Sequence, residues 1–93
     1  MKYYSIIRIS ESYSLLDGVS IILTTKSFDH AVSHLNYYLD VLVATMSREW
    51  EVNYRNFDLV DGALKAIIFN AQKFNCSTIN TTYFLIVENN IEE

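Results

Sequence analysis

The distribution of apolar residues along the chain predicts six elements of secondary structure. Residues 2–10 are mostly β-branched and aromatic, with apolar side chains on both sides, which is typical of a strand. Residues 19–26 show the same composition and predict a second strand. The Asp17-Gly18 turn signal lies between the two, and so short a connection favours an antiparallel hairpin.

From Phe28 onward the apolar residues recur at helical spacing. We therefore predict a helix from residue 28 to about residue 48. Ser27 precedes it as a suitable N-cap, and Asp29 in the first turn complements the helix dipole. The apolar positions of this stripe are 28, 31, 32, 35, 38, 39, 42, 43 and 46.

The second half of the chain predicts a strand, a helix and a strand. Residues 50–55 alternate strictly between apolar and polar side chains, which favours a short half-buried strand, with a loop as the alternative. A second helix is predicted to start at a cap formed by Asn56 or Asp58 and to end near Asn75. Residues 77–88 form the last strand, and the run from 83 to 87, apolar on both faces, predicts a central position in the sheet. The inward positions of the second helix are Val60, Ala63, Leu64, Ile67, Ile68, Ala71 and Phe74.

These elements predict an α+β fold in the order β-β-α-β-α-β. We expect a three- or four-stranded mixed or antiparallel sheet packed against two helices, with at least one parallel pairing because two helices act as crossovers. A chain of 93 residues makes a single domain, residues 1–93. The acidic tail, residues 89–93, is expected to be frayed.

The charge balance disfavours a nucleic-acid partner, and the single cysteine bears on the cellular compartment. Seven Lys and Arg stand against eleven Asp and Glu, a formal charge of −4, whereas a protein that holds nucleic acid by its phosphates needs the opposite balance. The sequence has no apolar run long enough to span a membrane. Because Cys76 is the single cysteine, no intramolecular disulfide forms, which favours a reducing compartment, the cytoplasm or, for a viral protein, the host cytoplasm.

Two histidines on the predicted first helix raise the question of a metal site. His30 and His34 are four residues apart and share a helix face, as in zinc-binding helices. A zinc site needs at least three protein ligands, and no third ligand stands at a motif spacing. We therefore interpret His30 and His34, with Tyr37 and Val41 beside them, as a partner-contact surface. A metal- or small-ligand-binding domain that uses the two histidines is the alternative hypothesis.

The predicted second helix offers another candidate contact surface. Gly62, Ala66 and Phe69 follow one another at i, i+4 and i+7, which would form a groove of small residues ending in an aromatic ring. Glycine inside a helix costs about 1 kcal/mol relative to alanine, so close approach by another chain would give it a purpose. The alternative is that Gly62 lies in a frayed first turn and Phe69 packs under a loop. An outward Phe69, together with sheet edges, predicts a homodimer.

The sequence favours binding over catalysis. It has no nucleophile elbow, no glycine-rich phosphate loop and no carboxylate pair that stands out, so we expect no enzymatic activity and no cofactor. Seven tyrosines exceed what a core of this size holds, and exposed tyrosines suit interfaces. We therefore expect a non-enzymatic protein-binding module whose partner stays unidentified. Small size and a composition free of proline suggest an inhibitor or regulator of phage or mobile-element origin, of the anti-defence type such as an anti-CRISPR protein.

Overall fold

A computed structural model shows one helix lying across one face of a five-stranded antiparallel sheet. It describes residues 1–10, 18–46, 48–57, 61–77 and 79–90. The strand order β2-β1-β5-β4-β3 puts β5 in the centre and leaves β2 and β3 at the edges. In chain order the elements are β1 (Lys2–Ser10), β2 (Val19–Thr25), α1 (Phe28–Met46), β3 (Trp50–Asn56), β4 (Ala63–Lys73) and β5 (Ile79–Asn90).

The helix α1 connects the two edges of the sheet. Its 19 residues extend about 28 Å, at about 1.5 Å per residue, which is enough to carry the chain across five strands from β2 to β3. Its start follows the predicted cap, because the Ser27 hydroxyl accepts a hydrogen bond from the His30 backbone N–H at 3.1 Å. The helix begins at Phe28 as predicted and ends at Met46, two residues earlier than expected.

The prediction of a second helix is wrong. Residues Ala63–Lys73 form β4, so the element order is β-β-α-β-β-β, and the sheet has five strands and one helix instead of three or four strands and two helices. The expected parallel pairing is also wrong, because all four strand pairings described are antiparallel. Asp61 and Gly62 instead belong to the turn between β3 and β4, where Gly62 has a φ of +82°. That left-handed conformation suits glycine, and Asp-Gly is a hairpin signal. The turn predicted at Asp17-Gly18 falls on residues 11–17, which lie outside the described residues.

The misreading of β4 has a physical reason. Ile67, Phe69 and Ala71 face α1 while Ala66 and Ile68 face the opposite way, so apolar residues are nearly continuous along the strand. A continuous apolar run matches helix and strand templates alike. Alanine and leucine favour a helix intrinsically, but pairing with β3 on one side and β5 on the other decides the outcome.

The remaining strand predictions are confirmed. β1 and β2 form the expected antiparallel hairpin, and residues 50–56 are a strand instead of a loop. β5 occupies the central position that its apolar run predicts. Asn89 and Asn90, which the sequence assigns to the frayed tail, pair with Tyr3 and Lys2 in β1, whereas residues 91–93 lie outside the described residues.

The core lies between α1 and the sheet. Edge-to-face ring contacts link its aromatic members, since Phe84 meets Phe69 at a centroid distance of 6.3 Å and Tyr38 at 5.7 Å. We call this side of the sheet the covered face. Its fully or nearly fully buried residues are Ile6, Ile67, Phe69, Ala71, Phe84 and Ile86 from the strands and Ala31, Leu35 and Leu39 from the helix.

Candidate functional site

The sheet face opposite α1 has no second layer over it among the described residues, and we call it the open face. Side chains alternate between faces along each strand, so the pairing register determines which residues lie side by side. Two adjacent rows across the strands are apolar, and we call them the apolar band. The first row is Ile21, Ile7, Leu85, Ala66 and Phe57, and the second is Val19, Ile9, Tyr83 and Ile68.

The apolar band is well packed at its centre and exposed at one edge. Leu85 is buried by its neighbours, and the rings of Phe57 and Tyr83 lie 6.2 Å apart. On β2, Ile21 is 66% exposed and Val19 is 57% exposed. Two rows across five strands cover roughly 300 Å², and apolar patches of that size on single chains are often functional.

A short chain of hydrogen bonds borders the apolar band on one side at β1 and β2, and the same row continues with Val87 and Ala63 on β5 and β4. The Ser5 hydroxyl lies 3.1 Å from the Thr24 hydroxyl and accepts a bond from the Asn89 side-chain amide at 3.0 Å. Ser5 is only 4% exposed although it lies on the open face. These bonds satisfy the polar groups within the sheet, so the border is fixed before any partner binds.

The opposite border of the apolar band is a shallow polar depression of about 360 Å³. Within it, the Thr81 hydroxyl donates a hydrogen bond to the Asn70 side-chain carbonyl at 3.0 Å. Amide and hydroxyl groups predominate here, and they can both donate and accept hydrogen bonds. The depression is lined by Glu51, Asn53, Asn70, Gln72, Ile79 and Thr81.

Among the described residues of the open face, charged side chains lie near the margins. Arg55 ends the second apolar row on β3. Glu51 lies on the same face of β3, four residues before Arg55 in the chain. At the opposite edge, the Lys26 ammonium lies 5.9 Å from the centre of the Tyr3 ring. The interior of the face is therefore uncharged, and its margin carries both signs, although the chain as a whole is acidic.

The predicted contact surface on the first helix lies on the other side of the molecule. His30, Tyr37 and Val41 are exposed on α1 and His34 is half-buried there, so these four residues stay together as a helix surface. The His30 Nδ1 atom lies 3.1 Å from the Thr25 hydroxyl. Within the described part of the chain, no three His, Cys, Asp or Glu residues are grouped closely enough to hold a metal ion.

The predicted groove of Gly62, Ala66 and Phe69 does not exist, because the helix that would carry it is a strand. Gly62 lies in the β3–β4 turn, Ala66 belongs to the apolar band, and Phe69 is a core residue with 4% exposure. Side chains alternate between the two faces along β4. Ala66 and Phe69 are three positions apart, so they lie on opposite faces of the sheet. Because Phe69 points into the core, it does not support the predicted homodimer. The two edge strands remain as support for that prediction.

Sequence reasoning missed the open face as a surface. The rows form only when five strands are placed in register, and the central β1–β5 pairing joins strands from opposite ends of the chain. One signal was present, since β1 and β5 are apolar on both faces and such strands are usually covered on both sides. The chain provides a single helix among its described elements, which covers one side.

No protein-family model matches the chain, and no significant similarity to a curated protein or to a solved structure is found. The class of the molecule is therefore defined by its own architecture, a two-layer α+β domain with one bare sheet face. In the part of the chain that the structure describes, no helix is both long and apolar enough to cross a membrane.

Proposed function

We propose that the chain is a non-enzymatic protein-binding module and that the open face is its docking surface. The observation that carries this proposal is the apolar band on a sheet face that α1 leaves bare, with the hydrogen-bonded Ser5 and Thr24 on one side of it and the polar depression on the other. Docking a folded protein there would bury the second side of β1 and β5, as expected for strands that are apolar on both faces.

The dimensions of the open face fit a protein partner. Five strands at about 4.8 Å spacing and nine residues at about 3.3 Å each give a face of roughly 700 Å². A specific protein–protein interface buries about 800 Å² on each partner. A small molecule is a poorer match, because the face is broad and shallow whereas small-molecule sites are concave.

The composition of the open face resembles the anatomy of known interfaces. Their centres are apolar and depleted in charge, their rims are polar, and aromatic residues and arginine are enriched in them. Here Tyr83 and Phe57 lie within the apolar band, and Arg55 lies at its end. The partner surface that fits is an apolar patch fringed by amide and hydroxyl groups, with little charge at its centre.

The finer version of the proposal is an inhibitor or regulator that acts on a host protein, of the anti-defence type. Its support is the small size of the chain and its composition, which has no proline and only two glycines. In that version the chain acts by occupying the surface of its target, because it offers a docking face and the sequence offers no catalytic motif.

Exchanging exposed residues on each candidate surface tests the proposal. Ile21→Asp and Val19→Asp place a charge on the apolar band at positions that are already more than half exposed, so the fold is retained. Tyr37→Asp does the same on α1, where Tyr37 is 68% exposed. Circular dichroism and thermal melting verify that each variant folds before affinity capture from cells of the source organism identifies partners of the wild-type chain.

The affinity of each variant for a captured partner then decides between the surfaces. We expect Ile21→Asp and Val19→Asp to weaken binding by roughly 30-fold, the factor that corresponds to a hot-spot loss of about 2 kcal/mol, and Tyr37→Asp to bind like the wild type. The opposite pattern would assign docking to the helix surface of His30, His34, Tyr37 and Val41. Sedimentation equilibrium on the same samples shows whether a second copy is itself the partner, as the predicted homodimer requires.

A further inference from the structure

A small crevice lies on the covered side of the sheet, away from the open face. Its volume is about 130 Å³, and it is bounded by the C-terminal half of α1 and by β1, β4 and β5. Leu42 and Met46 of the helix and Phe84 of β5 contribute apolar walls, while Arg8 and Thr82 contribute polar groups. The crevice thus combines one cationic side chain with a mostly apolar enclosure.

Arg8 has an incompletely satisfied guanidinium group. Its Nε atom is buried and has no hydrogen-bond partner among the described residues. One terminal nitrogen donates to the Tyr38 hydroxyl at 3.4 Å, which is long for a hydrogen bond. Within the described residues the ion pair found is that of Lys2 with Glu88, so no described carboxylate balances the charge of Arg8.

Arg8 as a whole is only partly buried, but its Nε donor is buried without an acceptor, and an unpaired buried donor is unfavourable. Structures usually resolve such a group with a carboxylate, because the planar guanidinium presents paired donors that match two carboxylate oxygens. The hydroxyls of Ser10 and Thr82 line the same crevice from directly paired positions of β1 and β5. These groups can complete the hydrogen bonds of a bound carboxylate.

We infer that the crevice binds a small organic carboxylate, with its anionic group on Arg8 and a short apolar tail against Leu42 and Met46. The volume of about 130 Å³ is well below the roughly 300–1,000 Å³ of common ligand sites, which limits the ligand to a few heavy atoms. Apolar walls disfavour a dianion such as sulfate, whose second charge would stay unpaired. This site is independent of the open face and of the function proposed for it.

The test is a titration with sodium butyrate, monitored by the NMR signals of the Arg8 side chain and of the backbone amides at 10 and 82. Sodium chloride at the same ionic strength and neutral butyramide are the reference ligands. We expect a saturable change with butyrate and none with either reference. A butyrate response that chloride or butyramide reproduces, or the absence of any saturable response, would overturn the inference.

Matched variants show whether Arg8 is responsible. Arg8→Met removes the cation and keeps an apolar side chain, so the fold is expected to survive, and it should weaken butyrate binding by roughly ten- to hundred-fold. Arg55→Met removes the same charge on the open face and should leave binding unchanged. Equal binding by Arg8→Met and the wild type would contradict the inference.

Two further measurements close the remaining alternatives. The first is competition by inorganic phosphate. If phosphate displaces butyrate at an equal or lower concentration, the crevice binds another oxyanion at least as well as a carboxylate, and the stated ligand class is wrong. Glu11 and Asp17 lie outside the described residues, so the chain itself holds carboxylates that have to be tested. If only the Glu11→Gln/Asp17→Asn variant binds butyrate, the chain supplies its own carboxylate and the inference is wrong.

Discussion

The two faces of the sheet carry nearly the same kinds of apolar residue and differ in what lies over them. On the covered face, Ile6, Phe84 and Ile86 are fully buried beneath α1. On the open face, Ile7, Ile9 and Tyr83 are only half-buried, although they belong to the same strands. Apolar content alone therefore does not distinguish a core from a docking surface; the presence of the helix does.

The arrangement of polar groups also differs between the faces. Hydrogen-bonded Ser5, Thr24 and Asn89 border the apolar band, so the open face keeps its polar groups satisfied without a partner. The covered face instead encloses a guanidinium with a buried, unbonded Nε atom. The open face thus resembles a surface that is stable in water and ready to dock, whereas the crevice on the covered side resembles a site that lacks its ligand.

The largest expected difference between the two faces comes from truncating neighbouring residues of β4 that point to opposite faces of the sheet. Phe69→Ala should lower the free energy of unfolding by about 3–5 kcal/mol, because Phe69 is 4% exposed and packs on Phe84 and Tyr54. Ile68→Ala on the open face should cost roughly 1 kcal/mol, since its side chain is already partly in water. Urea unfolding of both variants measures the difference. Equal losses would mean that the open face is covered in the isolated chain.

The fold could be predicted from sequence wherever a single periodicity was present. α1 has one apolar stripe, so its position followed from residue spacing, and β3 alternates cleanly between Trp50, Val52 and Tyr54 and the polar residues between them. β4 has apolar residues on both faces, so no period distinguished strand from helix. The Asp61-Gly62 pair carried the missing information, because a turn there makes β3 and β4 a hairpin.

The candidate site was less accessible to sequence reasoning than the fold. His30, His34, Tyr37 and Val41 lie near one another through local helical spacing, which a sequence displays directly. The apolar band needs Ile21 beside Ile7, Ile7 beside Leu85 and Leu85 beside Ala66, contacts that depend on strand order and register. Arg8 gave no signal at all, because its position among polar and apolar residues of β1 fits an ordinary exposed arginine.

A smaller loss of stability is expected at the polar border of the open face. Ser5→Ala removes both hydrogen bonds of the buried hydroxyl and should lower the free energy of unfolding by about 0.5–1.5 kcal/mol. Thr24→Val removes only one of them and keeps a β-branched side chain, so it should cost less. Chemical denaturation of the two variants gives the order. A larger loss for Thr24→Val would contradict the role of Ser5 as the central member of this border.

The smallest expected effect lies at the exposed end of the covered face, where Lys2 pairs with Glu88 at 3.0 Å. The hydrogen bond to the Glu88 carboxylate and its negative charge raise the pKa of Lys2 above its ordinary value. Because the folded-state pKa is the higher one, the pair stabilises the fold fully below the unfolded-state pKa and loses that contribution as the pH rises through the folded-state pKa. Lys2 is largely exposed to solvent, so the contribution is small and weakens with salt.

Thermal melting between neutral and strongly alkaline pH tests this pair. The wild-type chain should lose slightly more stability over the alkaline range than Lys2→Met, in which the pair is absent at every pH. Lys73→Met is the matched control, because it removes the same charge from an exposed position at the end of β4. If Lys2→Met and Lys73→Met follow the same alkaline profile, the Lys2–Glu88 pair contributes nothing measurable. In that case the hydrogen-bonded border around Ser5 would stabilise the sheet, whereas the Lys2–Glu88 ion pair at the end of the covered face would not.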